Sequence, residues 1–310
     1  MAYKDLYLED FVSLMGNSDW EQQVTAEHKR ITSEKVEGTF EESSRNRDLN
    51  RFVHDVCYDH SRVVLPTERN RNTFINANYC DGADQQKQYV LAEAPTQKTA
   101  YNFYRLIWMH HVKIVVMLCQ KVENKKEKCY PYWSDVPLSS MSFNKKFRVT
   151  TMKVERFAHY VKSTLLLTDG TDACQVVTHY NYTAWPDHGV PENTLDFLKF
   201  VLEVRRFRES LPGDLTLPQP PMVVHCNAGL GRTPCFVVID TCISKLKSDK
   251  KVAIASTLVH IRQQRFYSLF QTSQYIFVYK VIKLYVDSIP RERKISPAAK
   301  AIYFLRDLVK

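Results

Sequence analysis

The feature that most constrains this chain is the loop His225-Cys226-Asn227-Ala228-Gly229-Leu230-Gly231-Arg232-Thr233, set between the short apolar run Met222 to Val224 and a helical pattern from about Pro234 to Leu246. A tight loop after a buried strand can turn successive backbone N–H groups inward as an anion-binding nest, and Gly229 and Gly231 supply the dihedrals this demands. The helix that follows adds the positive end of its dipole. Arg232, wrapped to the mouth of the same loop, offers a planar fork to two anion oxygens. Inside such a ring Cys226 is expected as a thiolate nucleophile. Thr233 is placed to donate its hydroxyl to the sulfur and to cap the helix, with Pro234 in its first turn. The plainer alternative, a buried thiol with no chemistry, leaves the arginine and the two glycines unexplained.

The rest of the composition narrows the setting. The chain has 310 residues, 44% of them hydrophobic, enough for one domain with a sizeable core. Its eight cysteines are scattered without the close pairs of a zinc site, so reduced thiols, a cytoplasmic setting and no metal or other cofactor are expected. The N-terminal MAYKDLYLEDF is too charged for an export signal. The longest apolar run, Ile114 to Cys119, falls far short of the roughly 20 residues of a membrane span. A net charge of +9 favours anionic partners, whether phosphoproteins, nucleic acid or acidic headgroups.

Residues 1–40 read as a polar helical cap, 41–289 as the core, and 290–310 as a tail with a short helix. Thr99 to His111 has helical spacing, Lys113 to Gln120 reads as a buried strand, and Phe147 to Tyr182 as an antiparallel hairpin or meander broken at Asp169-Gly170. Leu195 to Arg208 reads as an amphipathic helix, with Leu195, Leu198, Val201 and Leu202 inward and Lys199, Arg205 and Arg206 outward. Two further helices fall near Ala253 to Gln264 and Ser273 to Val286.

The Cys-to-Arg loop resembles the signature of the cysteine-dependent protein tyrosine phosphatases. Asn50-Arg51-Phe52 followed by Tyr58-Asp59-His60-Ser61-Arg62-Val63 is similar to the family's phosphotyrosine-recognition loop, Phe74 to Tyr79 to its core strand, and Tyr182 to Pro191, with Trp185-Pro186-Asp187, to its mobile acid loop. The resemblance implies an α/β single domain: a highly twisted mixed sheet with a central parallel part flanked by helices. It implies a phosphocysteine on Cys226, Asp187 as general acid and then base, and Arg232 and the segment Asn227, Ala228, Gly229, Leu230 and Gly231 binding phosphate. Phe52 would clamp the substrate ring, with Trp185 and Asp55 beside it. His225, Glu123 and Lys128 would support the loop, and Gln271 and Gln274 would position water.

Departures from the family pattern are informative. Asn227 stands where serine is commoner and Pro234 where glycine is; with Phe52 they make the chain similar to the phosphatases of polydnaviruses carried by parasitoid wasps. That likeness implies a virulence factor in host-cell cytoplasm. His54 occupies the place of a peptide-binding aspartate. After Arg265 the family's glutamines follow by five and nine positions; here Gln271 and Gln274 follow by six and nine, and Tyr267 sits where small residues leave the rim open. The partners implied are phosphotyrosine-containing proteins, met by a monomer, with no nucleic acid and no membrane span. Two rivals are a catalytically dead phosphotyrosine-binding module, which would normally lose Cys226, Arg232 or Asp187, and an RNA 5′-phosphatase, which would lack the Phe52 and Trp185-Pro186-Asp187 segments.

Overall fold

The computed structural model describes residues 3–52, 57–68, 72–186, 189–212 and 218–289. Strands are β1 (Leu6–Tyr7), β2 (Ala77–Cys80), β3 (Tyr89–Ala92), β4 (Ile114–Met117), β5 (Val122–Glu123), β6 (Lys126–Glu127), β7 (Ser140–Phe143), β8 (Phe147–Arg156), β9 (Tyr160–Thr168), β10 (Cys174–Tyr182), β11 (Met222–His225) and β12 (Lys251–Val252). Helices are α1 (Leu8–Gly16), α2 (Trp20–Ser33), α3 (Glu41–Arg45), α4 (Ala100–Met109), α5 (Thr194–Ser210), α6 (Arg232–Asp249), α7 (Ile254–Gln264) and α8 (Thr272–Ser288).

An eight-stranded sheet of order β2-β3-β11-β4-β10-β9-β8-β7 carries the fold. The pairs β3–β11, β11–β4 and β4–β10 are parallel, and the flanking pairs are antiparallel. The expected mixed α/β sheet with a parallel centre is therefore present. Its central strands are apolar runs rather than alternating ones, because helices cover both faces there and every residue of β3, β4 and β11 is buried. The meander expected between Phe147 and Tyr182 is β8, β9 and β10. Two-residue alternation splits β10 between the layers. Tyr180 and Tyr182 meet Phe200 and Phe197 of α5, while His179 meets Tyr132 on the opposite face.

The orientation of α5 differs from the one its leucines suggested. It buries Phe197, Leu198, Phe200, Val201, Val204 and Arg205, and leaves Leu195 45% exposed. Two phenylalanines take the seam against the β10 tyrosines, and Arg205, assigned to solvent by its charge, instead donates to Asp240 Oδ1 (3.0 Å) and Ser244 Oγ (2.6 Å) of α6. A buried cation survives because its partners are buried with it.

The first two helices pack on α8. Phe11 stacks on Tyr279, His28 on Tyr275, and Glu27 accepts from the hydroxyls of both tyrosines at 2.7 and 2.6 Å. Residues 290–310, read as a short helical tail, lie outside the described residues.

Candidate active site

The loop between β11 and α6 is built by turning its carbonyls outward. Cys226 O faces His225 Nδ1 (3.3 Å), and Asn227 O accepts from Ala94 N–H (2.9 Å). Ala228 O and Gly229 O accept from the Arg265 guanidinium (3.3 and 3.0 Å), and Leu230 O from Leu269 N–H (2.6 Å). Gly231 O begins the helix by accepting from Cys235 N–H. Carbonyls committed outward leave the loop interior to donors. The Gly229 N–H points at Cys226 Sγ, 3.2 Å away, and Cys226 is 4% exposed. Gly229 has φ +70°, and a Cβ there would lie 2.2 Å from the Ala92 carbonyl oxygen, so only glycine fits.

Arg232 opens α6 and is held from outside the loop. Its two terminal nitrogens donate in parallel to Glu123 (2.6 and 2.9 Å), and one also reaches Leu118 O at 3.1 Å. Burial opposes its charge, but the Glu123 bonds and the neighbouring Cys226 outweigh that and raise its pKa. Glu123 comes from the β5–β6 ribbon and accepts in addition from Gln120 N–H. Lys128 follows that ribbon and is half-buried, its N–H bonded to Lys121 O.

Beneath the loop, His225 is fully buried, and burial pushes its pKa down to about 4. The Tyr132 hydroxyl lies between His225 Nε2 (2.7 Å) and His179 Nε2 (2.6 Å). One hydroxyl proton serves one of them. A neutral His225 protonated at Nδ1 accepts from Tyr132 at Nε2, and His179 then donates to the phenol oxygen.

Two expected positions, Thr233 and Gln271, behave differently from the sequence reading, and Gln274 keeps its place. Thr233 does not cap α6: the cap is Gly231, because the helix starts two residues earlier than expected, at Arg232. The Thr233 hydroxyl is buried with no hydrogen-bond partner, including Cys226 Sγ. Gln274 lies buried on α8 with its amide against Gly231, where an added Cβ would fall 2.6 Å from Oε1. Gln271 is the exposed N-cap position of the same helix. The fifth position after Arg265 is held by Phe270, 40% exposed.

On the recognition side, Arg51 donates to Ala94 O (3.0 Å) and Pro95 O (2.9 Å), which ties the segment carrying Phe52, 40% exposed, to the residue whose N–H meets Asn227 O. Asn50 accepts from Asn76, and Asn76 and Asn78 accept in turn from Arg265 (3.1 and 2.8 Å). A continuous polar chain thus joins this segment to the loop carbonyls. The Arg51 N–H donates to Glu93 (2.8 Å), whose buried carboxyl is pushed up to about 8 by burial despite Arg51 and Arg265 nearby. Asp55 and His54 lie outside the described residues.

Asp187 also lies outside them, but both flanks of its segment are placed. Trp185 is 2% exposed, stacks edge-on against Phe197 and Phe277, and donates its indole N–H to Gly189 O (3.1 Å), tying the segment's two ends together. It therefore anchors the segment from within the core, as a hinge-side anchor would, and is not exposed beside the substrate ring. Gln120 holds the preceding Thr183 O at 3.0 Å.

The sequence reading gave no role to Arg265, Glu93, Tyr132 or the Asn76–Asn78 pair. Arg265 was visible only as the residue from which the glutamines were counted, and Asn76 and Asn78 only as part of the Phe74 to Tyr79 motif; Glu93 and Tyr132 carry no local pattern. Among the described residues, no cluster of three or more His, Cys, Asp or Glu could hold a metal ion, and no helix is long and apolar enough to cross a membrane.

A buried cysteine met by a backbone N–H just before a helix N-terminus, with loop carbonyls turned away and a carboxylate-clamped arginine beside it, has the geometry of a cysteine-centred oxyanion site. The protein-tyrosine phosphatase family model matches residues 46–283, and the chain belongs to that family. It is 43% identical over 294 residues to tyrosine phosphatase H2 of Microplitis demolitor bracovirus (isolate Webb), covering 92% of this chain and 90% of that protein. It is 31% identical over 294 residues to tyrosine phosphatase-like protein J1 of the same virus, covering 93% and 98%. Human receptor-type tyrosine-protein phosphatase zeta is 36% identical over 250 residues, which cover 76% of this chain and 10% of that protein.

Proposed function

We propose that the protein hydrolyses phosphotyrosine in proteins through a phosphocysteine. The observation that carries this reading is the Gly229 N–H aimed at Cys226 Sγ within a loop whose carbonyls all face away. The sulfur, as thiolate, attacks phosphorus in line; the phosphorus–tyrosyl oxygen bond breaks, and Asp187 gives its proton to the leaving oxygen. In the second step water attacks the phosphocysteine. The Asp187 carboxylate takes the water's proton, the sulfur–phosphorus bond breaks, and inorganic phosphate leaves. Arg232 pairs with two phosphate oxygens throughout, the inward N–H groups take up the charge that develops, and Gln274 orients the water.

Phe52 supplies an apolar face for the tyrosine ring and a wall that a phosphoserine is too short to traverse. Closure of the segment anchored by Trp185 would bring Asp187 to the substrate and exclude water. Residues 41–289 form the catalytic core, with 1–40 packed on it as a cap. In this reading the protein acts as a monomer on phosphoproteins in host-cell cytoplasm, where its thiols stay reduced; the similarity to a bracovirus tyrosine phosphatase supports the viral, host-acting part of it.

The deciding experiment measures phosphate release, without added metal, from a phosphotyrosine peptide, a phosphoserine peptide and a 5′-triphosphate RNA. Turnover of the first alone is expected. Cys226→Ser should bind without turnover, and Asp187→Ala should lower kcat by about 100-fold or more. No release from phosphotyrosine by the wild-type protein overturns the reading.

A further inference from the structure

The turn after Arg265 contains more than the proposed chemistry uses. Tyr267 stands at φ +60° and Leu269 at φ +51°, left-handed conformations that cost a residue with a Cβ roughly 1–2 kcal/mol each. Three contacts hold the turn in place. The Leu269 N–H donates to Leu230 O of the phosphate loop, the Leu269 carbonyl meets His28 Nε2 at 2.8 Å, and Arg262 donates to the Ser268 carbonyl at 3.0 Å.

Leu269 is wholly buried, while Tyr267 and Phe270 are 47% and 40% exposed. Their ring centroids lie 5.0 Å apart. Phe266, packed edge-on against Tyr58 and Phe40, steadies the other side of Tyr267. The two rings pack on each other and on Phe266, yet each keeps two-fifths or more of its surface in water on a braced turn whose backbone is held left-handed. Strain and exposed apolar surface of this kind point to a bound state.

We infer that Tyr267 and Phe270 form an aromatic ledge on the rim of the phosphate loop that receives an apolar or aromatic side chain next to the phosphotyrosine, so that the protein selects phosphopeptides with such a neighbour. The inference rests on the phosphotyrosine reading above. The bond from Leu269 to Leu230 fixes the ledge to the loop itself, so a peptide whose phosphate fills the loop runs within side-chain reach of it. Neither ring carries charge, and their faces suit apolar or aromatic groups, a contact worth about 0.5–1.5 kcal/mol, or roughly a two- to tenfold preference.

The test uses full-length Cys226→Ser protein and phosphotyrosine peptides that differ only in the two residues flanking the phosphotyrosine: Phe or Leu in one set, Ser in the other. Fluorescence polarisation should give two- to tenfold tighter binding of the first set, and wild-type kcat/KM should show the same ratio. Tyr267→Gly, which relaxes the left-handed position, combined with Phe270→Ala should bring both ratios to about one, with a melting temperature near that of the parent. A parent ratio near one, or a ratio unchanged in the double variant, overturns the ledge. Peptides bound with the expected ratio but not turned over by wild type would sink the hydrolase reading and leave the ledge standing.

Discussion

Arg232 meets Glu123 through two parallel bonds of 2.6 and 2.9 Å, with both side chains buried. The arginine that closes the phosphate ring is therefore aimed by a residue from a separate ribbon. Glu123→Ala would remove the buried guanidinium's carboxylate partner, a loss of about 3–5 kcal/mol. We expect a lowered unfolding midpoint in urea and kcat/KM reduced by roughly 10- to 100-fold; Glu123→Gln, which keeps one acceptor, should fall in between. Wild-type values for Glu123→Ala would remove the clamp from the argument.

Gly229→Ala should be severe for a local reason. The new methyl would meet the Ala92 carbonyl oxygen at 2.2 Å in a residue already at φ +70°. Backbone cannot swing aside as a side chain can, so a destabilisation of about 2–4 kcal/mol is expected together with loss of phosphate affinity. Calorimetry and inhibition by inorganic phosphate would measure the two effects; a variant that melts with the parent and binds phosphate normally contradicts this account.

Two buried groups set opposite pH trends. Glu93 titrates at about 8 in the fold against an ordinary 4.5, so between those values the folded state keeps a proton that the unfolded chain has released, and stability falls as pH rises. His225 titrates at about 4 against 6.5, so the unfolded chain binds a proton that the fold refuses, and stability falls as pH drops through that window. Glu93→Gln retains an acceptor for the Arg51 N–H. It should add roughly 2–4 kcal/mol at pH 8 and nothing at pH 4, read from urea unfolding at several pH values. An equal effect at both pH values would show that Glu93 is not protonated in the fold.

Gln274 and Gln271 separate cleanly. Gln274 is buried against Gly231, whereas Gln271 is an exposed helix cap. With a small aryl phosphate, Gln274→Ala should slow phosphocysteine hydrolysis by about 10-fold and produce a pre-steady-state burst. Gln271→Ala should stay within about twofold of wild type. The reverse pattern would transfer the water-positioning role to Gln271.

Most of the site was legible because its residues are adjacent in the chain. Cys226, Gly229, Gly231 and Arg232 fall within one strand–loop–helix unit, so their spacing marks an anion-binding candidate and the family resemblance supplies the chemistry proposed for it. The parallel strands were equally readable as apolar runs. Less legible were residues whose role depends on a distant partner. Arg265 reaches the loop carbonyls from the end of α7, Tyr132 joins two histidines from different strands, and Arg205 turns inward only because Asp240 waits on α6. The glutamine register was only half legible for the same reason: counting positions kept Gln274 in its place and left Gln271 shifted by one, but burial depends on which side of α8 faces Gly231.

The sequence by itself marked the Cys-to-Arg loop as the candidate site, placed it between a strand and a helix, and gave away the family, since each is written in local pattern or contiguous motif. Only the tertiary structure decided which carbonyls are turned away from Cys226, which carboxylate holds Arg232, that Gln274 rather than Gln271 lies against the loop, and that Tyr267 and Phe270 stand out at its rim. Those outcomes depend on contacts between residues far apart in the chain, where burial and geometry, not residue type, set the interaction.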